Sequence, residues 1–165
     1  MPQQITLMTR DRIERTLKRL AIQVWEKLSE DQELVIIGLN ERGFATSKRL
    51  ISHLQGLGEI KIEHHQFFVL NKDANTTLPN CTEKYVLIVD DVIFSGKTMF
   101  DALSIICNSN DPEKIEVLTL VDRGHRTYPI LSGLTGIEVP NKLGEHVEVI
   151  LNLGDLEQVV LFKNL

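Results

Sequence analysis

At 165 residues, with 42% hydrophobic and 25% charged side chains, the chain is long enough for one domain with a substantial core (residues 1–165) and too short for two ordinary ones. No apolar run approaches the length of a bilayer span, and the residues up to Arg10, Asp11 and Arg12 lack the apolar core of a signal peptide, so a soluble, cytoplasmic protein is expected. A net charge of -5 weighs against strong non-specific nucleic-acid binding, and two cysteines make neither a disulfide framework nor a metal cluster.

Residues 9–30 place Ile13, Leu17, Leu20, Ala21, Val24, Trp25 and Leu28 at steps of three or four, the pattern of an amphipathic helix, with Thr9 as its N-cap. An apolar strand follows at 34–39. Residues 38–43, Gly-Leu-Asn-Glu-Arg-Gly, read as a loop bounded by two glycines. Exposed amides there favour an anion, and Arg42 supplies a planar fork suited to phosphate oxygens. Residues 44–57 are expected to be helical, with Leu50 and Leu54 inward and Gly56 and Gly58 ending the run. Residues 60–70 read as a strand. His64 and His65 lie within it and invite a metal reading, but neighbours on a strand point to opposite faces and cannot share one ion. Residues 71–84 turn polar, as a loop that contains Cys81.

The most informative stretch is 85–100. Val86, Leu87, Ile88 and Val89 form a run too short for a helix and β-branched enough for a strand buried on both faces of a parallel sheet. The strand is expected to end in Asp90 and Asp91. A short loop then closes on Ser95, Gly96, Lys97 and Thr98, and Met99, Phe100, Ala102, Leu103 and Ile106 recur at helical spacing, with Cys107 on the apolar face as a small buried hydrophobe. A loop between the carboxyl end of a parallel strand and a helix N-terminus suits an anion, through free amides and the helix dipole. Two adjacent carboxylates want hydroxyl donors or a cation. A ribose 5-phosphate satisfies both halves. The tail Gly96-Lys97-Thr98 mimics a nucleotide-binding Walker A loop, but that motif needs a glycine where Asp91 stands.

Asp111-Pro112 breaks the chain before a strand at 115–121, which runs into Asp122-Arg123-Gly124-His125-Arg126-Thr127-Tyr128-Pro129-Ile130. Short strand-like pieces at 134–139, 146–151 and 159–162 read as antiparallel additions or a small cap.

Residues 86–98 resemble the phosphoribosyl-diphosphate (PRPP) motif of type I phosphoribosyltransferases: four apolar residues, two acids, two apolar positions around a Ser or Thr, then Gly and Thr. Residues 120–130 resemble the hood segment of the PyrR family, the pyrimidine-operon attenuators that are also uracil phosphoribosyltransferases, and residues 17–21 and 38–50 follow the same family. The resemblance implies an α/β fold with a central, mostly parallel sheet flanked by helices and topped by a small hood. It implies transfer of phosphoribosyl from PRPP to a pyrimidine base, uracil above others, with Mg²⁺. Asp90 and Asp91 would bind the ribose hydroxyls, and Ile93, Phe94, Ser95, Gly96, Lys97 and Thr98 the 5-phosphate. Asn40, Glu41, Arg42 and Gly43 would receive the pyrophosphate, and Val121, Asp122 and Arg123 the base, with a plain salt-bridged hood loop as the alternative for these last side chains. Asp90, Asp91 and Arg42 form the catalytic set. Arg19, His125 and Arg126 are kept from the family's RNA surface, and a homodimer or larger assembly is expected.

The chain departs from the family in two places. The mobile loop that follows Leu70-Asn71-Lys72-Asp73 is short, which bears on catalysis, and leaves open a pseudo-enzyme or a transferase for another base. Ile22, Leu131 and Ile137 stand where the family has cations, and each lost cation weakens RNA binding at physiological salt. An RNA-binding regulator with PRPP or nucleotide as effector is the competing function.

Overall fold

The computed structural model describes residues 3–69, 78–140, 142 and 144–163. In chain order the elements are β1 (Gln3–Met8), α1 (Arg10–Lys27), β2 (Leu34–Leu39), α2 (Asn40–Gln55), β3 (Ile62–Phe67), β4 (Tyr85–Ile93), α3 (Lys97–Ser109), β5 (Lys114–Asp122), β6 (Leu134–Glu138), β7 (His146–Asn152) and β8 (Asp155–Lys163). Five strands form a wholly parallel sheet in the order β3-β2-β4-β5-β6. The other three form a separate antiparallel sheet in the order β1-β8-β7.

The apolar runs are central because both of their faces are covered. Leu34 and Ile36 of β2, Leu87 and Val89 of β4, and Leu118 and Leu120 of β5 join one core with Leu17 and Leu20 of α1, Leu50 and Leu54 of α2, and Val147 and Val159 of the small sheet. The alternate residues Val35, Ile37, Val86, Ile88 and Val117 pack instead with Met99, Ala102 and Ile106 of α3. A two-residue side-chain period sorts each strand between these cores. Truncating a fully buried member such as Leu87 to Ala costs about 2–5 kcal/mol.

Several expectations are corrected here. No loop separates β2 from α2: the helix begins at Asn40, which itself takes φ 55 and makes the turn. The glycines serve helix-to-sheet contact, since a Cβ on Gly38 would stand 2.6 Å from the Phe44 Cα. β6 lies parallel beside β5, with Leu118 opposite Leu134, because the segment 123–133 is long enough to carry the chain back across the sheet end. Only β7 and β8 are antiparallel additions, and β8 pairs with β1, a strand for which the sequence reading had no signal. Cys107 is exposed, because α3 turns Met99, Ala102 and Ile106 inward, and Cys81 is buried in the core that they join. Burial pushes the Cys81 thiol up.

Other expectations stand. Thr9 caps α1, accepting the Arg12 N–H at 3.3 Å, although the helix ends at Lys27 and not at residue 30 as expected. His64 and His65 do face opposite ways: His64 Nε2 lies 2.7 Å from Ser47 Oγ on α2, and His65 pairs with Glu63 on its own face. Of the expected loop at 71–84, residues 71–77 lie outside the described residues, as does the Leu70-Asn71-Lys72-Asp73 run, and residues 78–84 carry no helix or strand. No helix among the described residues is long and apolar enough to cross a membrane.

Candidate active site

β2 and β4 are neighbours whose chains leave in opposite directions. β2 runs through α2 to β3 on one flank, and β4 runs through α3 to β5 on the other. Diverging connections leave a crevice at the carboxyl ends of the two strands, the place where open α/β sheets hold ligands. An open cleft of about 500 Å³ lies there, lined by Leu39, Asn40, Glu41, Arg42, Phe68, Asp90, Asp91, Val92 and Thr98.

The acidic pair forms its floor. Pairing with β2 stops at Val89, but β4 stays paired with β5 as far as Ile93, so Asp90 and Asp91 sit within a supported strand and not at its free end as expected. Asp90 is 9% exposed, and its Oδ1 accepts the Asp91 N–H at 2.9 Å. Burial, and then the charge of Asp91, push its carboxyl well above the usual carboxylate range. Gly43 makes this crowding possible: a Cβ there would stand 2.7 Å from the Val89 carbonyl oxygen and 3.2 Å from Asp90 Oδ1.

One wall is the first turn of α2, with Asn40, Glu41 and Arg42. The amides of this turn precede the helix's own hydrogen bonds and are available to an anion. Arg42 is anchored from behind by the small sheet: its Nε donates to the Val149 carbonyl at 2.9 Å and its Nη2 lies 3.6 Å from Glu148 Oε1.

The opposite wall is the turn into α3. Gly96 takes φ 85, a left-handed conformation, and a Cβ there would stand 3.0 Å from the Tyr128 carbonyl oxygen. Ser95 Oγ accepts the Lys97 N–H at 3.2 Å, and the first intrahelical bond shown is Phe100 N–H to Gly96 O at 2.8 Å, after the amides of Thr98 and Met99. Of this turn only Thr98 lines the cleft with the acids; Lys97 pairs with Asp101 and lies over the Tyr128 ring.

The hood segment packs on that turn. Val121 is wholly buried in the core, so only its backbone can reach a ligand. Asp122 holds Arg126 in a two-pronged ion pair at 2.9 and 2.8 Å and also accepts the Gly124 N–H at 2.9 Å. Those donors keep its carboxyl below the ordinary range even though burial opposes them as the largest single influence. Arg123 stacks 4.2 Å over the Phe94 ring and donates to the Glu145 carbonyl at 2.6 Å. Asp122 is thus salt-bridged within the hood, and Arg123 is held by the Phe94 ring and the Glu145 carbonyl.

Of the three RNA candidates, His125 and Arg126 lie together beside Phe94 and Arg19 lies apart. Arg126 is a staple, donating also to the Phe94 and Ile130 carbonyls at 3.0 and 2.9 Å. Arg19 donates to the Thr135 and Gly136 carbonyls at the β6 edge, and His125 sits with its ring 5.5 Å from that of Phe94. Two of the three, Arg19 and Arg126, are thus engaged with backbone carbonyls of their own chain.

Mg²⁺ takes few protein ligands and completes its shell with water and substrate phosphates. No group of three or more His, Cys, Asp or Glu side chains able to hold a metal occurs among the described residues. The carboxylates of Asp90 and Asp91 fit the lesser role of one or two hard oxygen donors beside a metal carried in by a diphosphate. Phe68 was missed as a cleft residue. Its signal is the pair Phe67-Phe68, in which one ring is buried and its neighbour must face the other way.

The phosphoribosyl transferase domain model matches residues 6–149. The chain is 36% identical over 162 residues to the bifunctional protein PyrR of Microcystis aeruginosa, covering 91% of this chain and 92% of that one. It is 37% identical over 159 residues to the bifunctional protein PyrR of Synechocystis, covering 89% of each. A solved hypoxanthine-guanine phosphoribosyltransferase of Bacillus anthracis shares the fold, with a TM-score of 0.77 at 20% identity over 95% of this chain and 99% of that one. With the acid pair, the two helix turns and the switch-point cleft already in place, these likenesses assign the chain to the phosphoribosyl transferase domain family, as a type I phosphoribosyltransferase close to PyrR.

Proposed function

We propose that the protein is a cytoplasmic phosphoribosyltransferase that moves the phosphoribosyl group of PRPP onto a pyrimidine base, uracil above others, and acts as a homodimer or larger assembly. The observation that carries this is the acid pair, buried Asp90 and half-buried Asp91, set between two helix N-terminal turns at the switch point. The α3 turn, with Ser95, Gly96, Lys97 and Thr98 and the backbone of Ile93 and Phe94, takes the 5-phosphate. Asp90 and Asp91 accept hydrogen bonds from the ribose 2- and 3-hydroxyls. The α2 turn, Asn40 to Gly43 with Arg42, takes the diphosphate, and Val121, Asp122 and Arg123 present the hood's backbone to the base.

In the reaction the bond from ribose C1 to the diphosphate oxygen breaks, its electron pair leaving with the diphosphate, a bond from C1 to the base nitrogen forms, and the proton on that nitrogen passes to solvent. Positive charge builds on the sugar in between, where the Asp91 carboxylate, with the Asp90 oxygens beside it, favours it, while amides and Arg42 favour the departing anion. Mg²⁺, when bound with the diphosphate, lowers the charge of the leaving group.

The test is a screen of uracil and the other common bases with PRPP and Mg²⁺. Uridine monophosphate is the expected product, and Asp91→Asn is expected to slow its formation about a hundredfold or more. Nucleotide from hypoxanthine or guanine alone would move the base to the purine class, and no nucleotide from any base would remove the transferase reading.

A further inference from the structure

The cleft wall that α2 provides depends on one backbone turn, and that turn is held from outside the cleft. Asn40 occupies the left-handed region at φ 55, which is strained for most side chains and tolerated by Asn. Besides the helix's own ladder, two bonds hold it there. Gln66 Nε2 donates to the Asn40 carbonyl at 3.0 Å, and Asn40 Oδ1 accepts the Val69 N–H at 3.0 Å. Gln66 lies on β3 opposite Gly38 of β2, so its amide reaches across the strand end and does not line the cleft.

In a trans peptide the carbonyl of one residue and the N–H of the next point in opposite directions. The grip of Gln66 on the Asn40 carbonyl therefore sets the direction of the Glu41 N–H, one of the first-turn amides of α2. Without that donor the 40–41 peptide loses its tie to β3 and is held by the first-turn bonds of α2 and the Asn40 side-chain bond, which leaves it freer to tilt.

We propose that Gln66 is a positioning residue for the diphosphate end of the substrate: it fixes the Asn40–Glu41 peptide so that the α2 turn presents its amides to the anion. The proposal rests on the reading of this turn as the diphosphate wall. It separates two ligands, because inorganic pyrophosphate uses that wall and uridine monophosphate, which lacks the diphosphate, does not.

The experiment is calorimetric titration of the full chain with each ligand in the presence of Mg²⁺, with melting curves for every variant. Gln66→Leu, which removes the donor, is expected to weaken pyrophosphate binding about five- to tenfold while changing uridine monophosphate binding less than twofold. Gln66→Lys, which keeps a donor at similar reach, is expected to recover part of the loss. Gln66→Glu, which sets an acceptor against the carbonyl, should be at least as weak as Gln66→Leu. Unchanged pyrophosphate binding in Gln66→Leu and Gln66→Glu, or an equal loss for both ligands, overturns the inference with the function intact. Wild-type protein that binds uridine monophosphate and no pyrophosphate overturns the diphosphate wall and the inference with it.

Discussion

Asp90 is a group the fold holds at a cost. A carboxyl raised above its ordinary range keeps its proton in the folded chain at pH values where the unfolded chain has released it. Across that window the folded state binds more protons, so stability falls as pH rises. Asp90→Asn removes the penalty. Its melting temperature is expected to exceed that of the wild type at pH 7 to 8, with the gap closing as pH falls below about 4, where both states of the wild-type carboxyl are protonated. A stabilised but slower enzyme is the expected mark of a site that trades stability for chemistry. Arg126 has the opposite character. Its side chain is 21% exposed and that of Asp122 is 19%, and the pair joins the hood to the turn into α3 through Phe94. Arg126→Ala leaves the Asp122 carboxylate short of its donors and is expected to cost roughly 2–3 kcal/mol in denaturant unfolding.

Among the elements, α2 is the part on which the site turns, and its two sides are fixed by different chemistry. Toward α1, Glu14 takes both prongs of Arg49 at 2.8 Å and lies 2.7 Å from His53 Nε2. The Arg49 hydrogen bond holds the Glu14 carboxyl below its ordinary range, so this link is present above that range and is lost as pH falls through the lowered value. Toward β3, His64 stacks on Phe44 at 4.6 Å, and burial, then the charges of His65 and Lys48, lower its pKa to about 4. Between about 6.5 and 4 the unfolded chain takes up a proton that folded His64 refuses, so stability falls as pH falls through that window. His64→Phe keeps a ring on Phe44 and is expected to flatten that part of the melting-temperature profile.

The elements also show where the sequence was readable. β4 and α3 declared themselves because an unbroken β-branched run and a helical period are local signals, and the acids between them carried the chemistry. β1 and the direction of β6 were not readable, since what places them is pairing with β8 and β5, far away in the chain. The glycines at 38 and 43 looked like a turn because glycine serves two purposes, and sequence does not say which; here they let a helix approach the sheet. Arg126 matches a family pattern by position, and its pairing with Asp122 across four residues is a contact that the pattern alone does not reveal.

For the whole molecule, the net charge of -5 and the internal bonds of Arg19 and Arg126 bear on the regulator reading. Phosphate contacts show themselves as a steep loss of affinity with salt. Filter binding with structured RNA is expected to give weak retention with a shallow salt dependence, whereas tight, steeply salt-dependent binding would restore the regulatory function.

The central claim is that the crevice between β2 and β4 is a PRPP site. Titration of PRPP with Mg²⁺ into the wild-type protein and Asp91→Asn, followed by calorimetry, tests it most directly. The account predicts one saturable site per chain in the wild type and a marked loss of affinity in the variant. No heat from the wild type, or identical binding by the two proteins, would contradict it.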